Sequence, residues 1–89
     1  MTEISPGKAE RLVILNEECA EVCAIISKIF RHGFDSYHPD DPSTTNLVLL
    51  EYEINDVLAI INEMKNKGDI SSKYDAARWE KKKKWTHFQ

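Results

Sequence analysis

Two stretches of the sequence repeat apolar residues at alternating steps of three and four, the pattern of an amphipathic helix. In the first stretch, residues 8–31, the repeated residues are Leu12, Leu15, Cys19, Val22, Ile26 and Ile29. In the second they are Leu47, Leu50, Ile54, Val57, Ile61 and Met64. Each repeat is termed a seam, the line along which one helix packs on another. The two seams predict an all-α protein built on a hairpin of two long helices.

Local signals predict the ends of the first helix and the loop after it. Ser5 is suited to the N-cap, with Pro6 as the first helical residue, and Gly33 is suited to the stop. Residues 33–45 are rich in Asp, Ser, Pro and Thr, and prolines 39 and 42 prevent a helix from running through. This segment is predicted to be a loop.

The second and third helices are predicted in the same way. Thr44 or Thr45 caps the second helix and Gly68 ends it. A third, shorter helix is expected to begin near Ser71 or Ser72 and to continue into the lysines at 81–84. Its end should fray because four consecutive lysines repel one another. Residues 1–89 then form a single domain, with residues 80–89 as a basic tail.

Apolar residues that lie off both seams predict self-association. They are Val13, Ile14, Ala24, Ile25, Val48, Leu49, Leu58, Ala59 and Ile60. One partner helix cannot cover all of them, and a chain of 89 residues buries only roughly 60–65% of its unfolded surface. We expect a homodimer or homotetramer in which two or more hairpins complete four-helix-bundle packing.

Composition limits the cellular setting. No apolar run reaches the roughly 18–20 residues of a membrane span, and residues 1–8 lack the pattern of a signal peptide. The sequence thus predicts a soluble, cytoplasmic protein without a membrane partner. Cys19 and Cys23 are four residues apart on one helix face and are expected to be reduced and buried. None of the three histidines has zinc-ligand spacing relative to them, so a sulfur-ligated metal is not expected.

Five acids lie in the middles of the two long helices. Glu17, Glu18 and Glu21 are on the first helix, and Glu53 and Asp56 are on the second. Residues three apart are neighbours on a helix surface, and both acid pairs lie one residue before seam positions. Packed seams would therefore bring four carboxylates together. Mg²⁺ prefers such oxygen ligands and also binds phosphate oxygens, so the pattern suits a triphosphate substrate.

A second interpretation of these acids is a solvated helix edge, which is common beside a coiled-coil seam. That interpretation needs basic neighbours, and Lys28 and Lys65 lie too far along their helices to serve. Unneutralised like charges destabilise a helix unless something offsets them. The local sequence therefore favours a metal site over a solvated edge.

The segment Glu17-Glu18-Cys19-Ala20-Glu21, followed by Glu53-Ile54-Asn55-Asp56, resembles the EExxE and ExxD motifs of MazG-like nucleotide pyrophosphohydrolases. The resemblance covers about residues 10–79. It implies a metal-dependent enzyme that hydrolyses a nucleoside or deoxynucleoside triphosphate to the monophosphate and pyrophosphate in nucleotide-pool control.

The resemblance also implies roles for individual residues. Glu18, Glu21, Glu53 and Asp56 would hold Mg²⁺, with Mn²⁺ able to substitute. Glu17 would orient or deprotonate the attacking water. Lys73 and Arg78 resemble the basic residues that approach the phosphates in relatives, although both would also suit a solvated helix.

One departure from the family pattern concerns the loop. Thirty-one residues separate Glu21 from Glu53, which is longer than is usual in the family, and the excess can be placed in residues 33–45. The loop side chains Phe34, Tyr37 and His38, with Asn46 just after them, could contact a nucleobase or could simply anchor the loop.

Two other function classes remain open. In a nucleic-acid-binding module, the lysines at 81–84 with Trp79, Trp85 and Phe88 would contact a phosphate backbone and stack on bases. The acidic body argues against this partner, and a solvated tail or a lid over bound nucleotide explains the lysines more simply. A purely structural helical assembly is the third class. The sequence contains neither a G-x-x-x-x-G-K-[ST] loop nor a plausible nucleophilic triad.

Overall fold

The computed structural model describes residues 3–71 and 73–89 and contains three helices over this part of the chain. They are α1 (Pro6–His32), α2 (Asn46–Asn66) and α3 (Ala76–Lys83). The predicted all-α class and the hairpin of two long helices are confirmed. Residues 1, 2 and 72 lie outside the described residues. The prediction that the third helix begins at Ser72, and part of the prediction for residues 1–8, therefore also lie outside them.

The predicted caps of the two long helices are confirmed. Ser5 Oγ accepts a hydrogen bond from the backbone N–H of Lys8 at 3.3 Å. Thr45 Oγ1 accepts one from the N–H of Val48, also at 3.3 Å, which selects Thr45 over Thr44 as the cap. Each bond satisfies one of the free amides at a helix start.

α1 packs against α2 along faces that overlap the predicted seams in part: Leu15, Val22, Ile29, Leu50, Val57, Ile61 and Met64 are half-buried or buried as predicted. The least exposed positions of α1 include Leu15, Glu18, Val22 and Ile25, and those of α2 include Leu50, Glu53, Val57, Ile60 and Met64. The predicted seam residues Leu12, Cys19, Ile26, Leu47 and Ile54 are exposed. The alternate seam positions were therefore predicted one residue too late, because apolar residues lie on several sides of each helix. Glu18 and Glu53 consequently lie within the observed helix interface instead of beside it.

A paired arginine and aspartate close the open end of the hairpin. The guanidinium of Arg11 on α1 donates two hydrogen bonds to the carboxylate of Asp69, just after α2, one of them at 2.8 Å. The Asp69 side chain is only 5% exposed. Gly68 allows the chain to reach this point, because its φ of +78° lets the N–H of Asp69 donate to the carbonyl of Met64 at 2.9 Å.

At the other end, the loop of residues 33–45 is anchored by Asn46. The buried Asn46 side chain donates from Nδ2 to the carbonyl of Gly33 at 3.0 Å, and its backbone N–H donates to the carbonyl of Ser36 at 2.9 Å. An isolated antiparallel bridge joins Tyr37 to Thr45. The loop is thus tied to the first turn of α2.

α3 begins later than predicted. Ser71 is not helical, and the N-cap is Asp75, whose carboxylate accepts from the backbone N–H of Arg78 at 3.2 Å. The helix includes the first three of the four lysines and ends at its cap, Lys84. Within the described ranges, α3 packs against neither α1 nor α2. It is an arm beyond the hairpin.

Much of the apolar surface of the hairpin faces outwards. The buried apolar side chains in the described part of the chain are Ile25, Ile60 and Met64. Cys19 and Cys23 are free, as predicted, but exposed, because both lie on the side of α1 that α2 does not cover. No helix among the described residues is both long and apolar enough to span a bilayer.

Candidate metal centre

Three carboxylates meet midway along the hairpin. Glu18 comes from α1, and Glu53 and Asp56 come from adjacent positions on one face of α2. One oxygen from each lies within 4.8 Å of the others. Both long helices therefore contribute to the cluster, which depends on their packing.

The cluster is partly shielded from water. Glu18 and Glu53 are half-buried in the helix interface, whereas Asp56 is exposed at its edge. Burial raises the pKa of the Glu18 carboxyl, and the negative charge of Asp56 and a hydrogen bond with Glu53 raise it further. The raised pKa means that the ionised form of Glu18 is disfavoured here. A bound cation would relieve this repulsion.

The oxygen positions suit a small divalent cation. Two oxygens that both bind Mg²⁺ at about 2.1 Å lie at most about 4.2 Å apart. Among three ligands of an octahedral ion at least two pairs are adjacent and only about 3.0 Å apart, so oxygens within 4.8 Å of one another would have to approach through rotation of their flexible side chains. An all-carboxylate donor set is appropriate for Mg²⁺ or Mn²⁺ and inappropriate for a soft metal.

Glu21 and Glu17 do not join the three-carboxylate cluster. Glu21 is exposed one turn after Glu18, close enough for its charge to contribute to the raised pKa of Glu18. Glu17 is exposed beside Glu18 on the outer side of α1. Of the four ligands that the sequence predicted, the structure brings together Glu18, Glu53 and Asp56.

The predicted substrate residues lie elsewhere. Lys73 and Arg78 belong to the arm around α3, which does not pack on the hairpin. Tyr37 and His38 are exposed in the loop, and His38 Nδ1 lies 3.6 Å from the carboxylate of Asp40. The side-chain amide of Asn46 already donates a hydrogen bond to the carbonyl of Gly33. The α2 axis rises by about 10 Å between Asn46 and Glu53, so the loop and the acid cluster are separate parts of the surface.

Sequence reasoning missed Arg11 and Asp69 completely. The Arg11 guanidinium holds the pKa of the Asp69 carboxyl below its usual value, mainly through the direct hydrogen bonds. The two residues are 58 positions apart, and the sequence contains no local signal that pairs them. Their role here is structural, because they fix the open end of the hairpin that carries the acid cluster.

Comparison with known proteins identifies no relative. No family model matches this chain, and neither a curated protein nor a solved structure matches it.

Proposed function

We propose that this protein is a metal-dependent nucleoside triphosphate pyrophosphohydrolase, which releases a nucleoside monophosphate and pyrophosphate. The observation that carries the proposal is the convergence of Glu18, Glu53 and Asp56 from two helices. The resemblance of the acidic motifs to the MazG-like family supplies the reaction. The substrate can be a ribo- or deoxyribonucleotide.

The chain's carboxylates would hold and orient the reactants. Glu18, Glu53 and Asp56 would bind Mg²⁺, and Glu21 could complete the set after a change of side-chain rotamer. The ion would supply positive charge that polarises the phosphoryl oxygens. Glu17 would accept a proton from the water whose oxygen attacks phosphorus, while the α–β anhydride bond breaks and pyrophosphate leaves.

Charge compensation of the triphosphate would come from Lys73 and Arg78. The arm that carries them is separate from the acid cluster, so either it closes over the hairpin or a second copy provides it. Tyr37 and His38 are the loop candidates for a nucleobase contact. Because its amide already bonds to Gly33, Asn46 is a weaker candidate.

Association of two or four chains forms part of this proposal. Outward-facing apolar side chains on α1 and α2 include Val13, Ile14, Phe30, Tyr52 and Leu58. A monomer rarely leaves so many large apolar groups in water, whereas a bundle of hairpins would bury them. Sedimentation equilibrium of the wild type and of Leu58→Lys tests this. A monomeric wild type would contradict it.

The activity test compares each common NTP and dNTP, with and without Mg²⁺ or Mn²⁺, and resolves all phosphorylated products. We expect the monophosphate and pyrophosphate to appear only with metal, and to be lost in Glu53→Gln. Glu51→Gln is the matched control because Glu51 is an exposed glutamate of the same helix outside the cluster. No turnover by folded protein with any triphosphate would refute the proposal.

A stability measurement tests the metal centre separately. Without metal, Glu18→Gln should melt at a higher temperature than the wild type, because the substitution removes a half-buried charge that its neighbours oppose. Mn²⁺ should raise the melting temperature of the wild type and of Glu51→Gln but not of Glu18→Gln. Equal responses of all three proteins would exclude a cation site at the cluster.

A further inference from the structure

Charge divides this chain into two parts of opposite sign. Residues 73–89 carry six basic side chains and two acidic ones, a net charge of +4, whereas the whole chain carries −3, so residues 1–72 carry −7. The basic part includes α3, which packs against neither long helix within the described ranges. A polyanion could therefore bind α3 without approaching the acidic hairpin closely.

α3 sorts its charges onto two sides. Arg78, Lys81, Lys82 and Trp85 line one open cleft of about 480 Å³. Their spacing of three, four and seven puts them on one face, because successive helical residues turn by roughly 100°. Glu80 lies on the opposite face and pairs with Lys83, with Nζ and Oε1 3.5 Å apart. The lining of the cleft is therefore cationic and aromatic, with the capping carboxylate of Asp75 beside Arg78 at its N-terminal edge.

Trp85 is held beside these cations although it follows the helix. Its backbone N–H donates to the carbonyl of Lys82 at 3.0 Å, which continues the helical turn past the cap. The indole is 87% exposed. A large, nearly bare indole flanked by cations is a surface on which a planar base can stack while its phosphates meet the cations.

The other exposed apolar groups of the arm are also aromatic. Tyr74, Trp79 and Phe88 are exposed, and residues 73–89 contain no Leu, Ile, Val or Met. A surface made for another hairpin would offer aliphatic side chains to the exposed aliphatic groups of α1 and α2. Aromatic rings among lysines instead match bases and phosphates.

We propose that the cleft face of α3, formed by Arg78, Lys81, Lys82 and Trp85, binds single-stranded nucleic acid. From Arg78 to Trp85 the backbone rises by about 10 Å, so this face contacts only a few nucleotides of a strand. Three cations contact the phosphates and the indole stacks on one base. Binding is independent of base sequence, because every base has a π face.

The two tryptophans of the chain, Trp79 and Trp85, both belong to this arm, so selectively excited tryptophan fluorescence reports on it alone. The experiment titrates full-length protein with a 12-nucleotide oligo-dT over a series of salt concentrations. We expect saturable quenching, with a slope of log K against log salt of about −2, because each of three phosphate contacts contributes about −0.7.

Variants identify the surface. Trp85→Ala should weaken binding roughly 5- to 150-fold, the value of one stacked base. Lys82→Ala should weaken binding and reduce the slope by about 0.7. Lys67→Ala is the control: Lys67 lies after α2, 4.0 Å from Glu63, and its loss should change neither quantity.

Three results would overturn the proposal. Absence of salt-dependent quenching would exclude the site. Equal quenching by dTTP at the same phosphate concentration would make the cleft a mononucleotide site or a lid. Emission that changes with protein concentration instead of oligonucleotide, together with a smaller sedimentation coefficient for Trp85→Ala, would make this face a contact between copies.

Discussion

Replacing Asn46 with Ala should destabilise the hairpin, whereas the same substitution at the exposed Asn55 of α2 should not. Asn46 is 6% exposed, and its side-chain amide donates to the carbonyl of Gly33 at 3.0 Å. Its loss leaves a partly buried carbonyl without that donor, which costs about 1–3 kcal/mol. Ala is a better helix former than Asn by up to about 0.7 kcal/mol. Asn55→Ala measures that gain, because Asn55 is exposed on the same helix.

Urea unfolding at one fixed protein concentration gives the comparison. With a slope of about 1–3 kcal/mol per molar urea, the midpoint of Asn46→Ala should lie roughly 0.3–3 M below that of Asn55→Ala. Asn46→Asp should be destabilised at neutral pH and recover as the pH falls, because only a protonated carboxyl can donate to Gly33. Identical midpoints for the two Ala variants, with a raised KM for nucleotide in Asn46→Ala, would refute the structural role and support a base contact.

Three further predictions concern the helix packing and the open end of the hairpin. Met64→Ala should lower the free energy of unfolding in urea by about 2–5 kcal/mol, because this residue is only 1% exposed. A decrease below about 1 kcal/mol would mean that the site is loosely packed. Gly68→Ala should cost about 1–2 kcal/mol in the same assay, because a φ of +78° strains any residue with a Cβ, and an unchanged midpoint would exclude that conformation. Because the pKa of Asp69 is lowered in the folded state, its ionised carboxylate stabilises the fold at every pH above the ordinary pKa of 3.8. This contribution is lost as the pH falls through the lower folded-state pKa. Asp69→Asn should therefore lower the melting temperature at pH 7 and flatten its fall in acid; parallel pH profiles for the variant and wild type would contradict this.

The helix ends were predictable because their causes are local. Ser5, Thr45 and Gly68 act within three or four residues, and each does in the structure what its type and position indicated. The start of α3 was misplaced because several residues in that region can cap a helix. Ser71 and Asp75 have comparable capping chemistry, and nothing in the adjacent sequence chooses between them.

The rotation of α1 and α2 about their axes was not predictable. Four consecutive apolar residues, from Leu12 to Leu15, point in all directions around α1, so several seams fit the sequence equally well. The three-carboxylate cluster was nevertheless anticipated, because Glu18, Glu53 and Asp56 stay near the interface in either phase. Long-range partners such as Arg11 and Asp69 are determined by the packing of the whole hairpin and leave no local trace.

The placement of Glu18 and Glu53 inside the helix interface makes the packing of the hairpin uneven along its length. Buried side chains flank the acid cluster on both sides, with Ile25 and Asn46 towards the loop and Ile60 and Met64 towards the open end. Between them, two carboxylates occupy positions that leucines would otherwise fill. The middle turns should therefore open locally more often than the turns on either side. Their amide hydrogens should exchange with solvent sooner than those of the flanking turns. The flanking turns maintain the fold, and the middle turns can adjust when a ligand binds at the acid cluster.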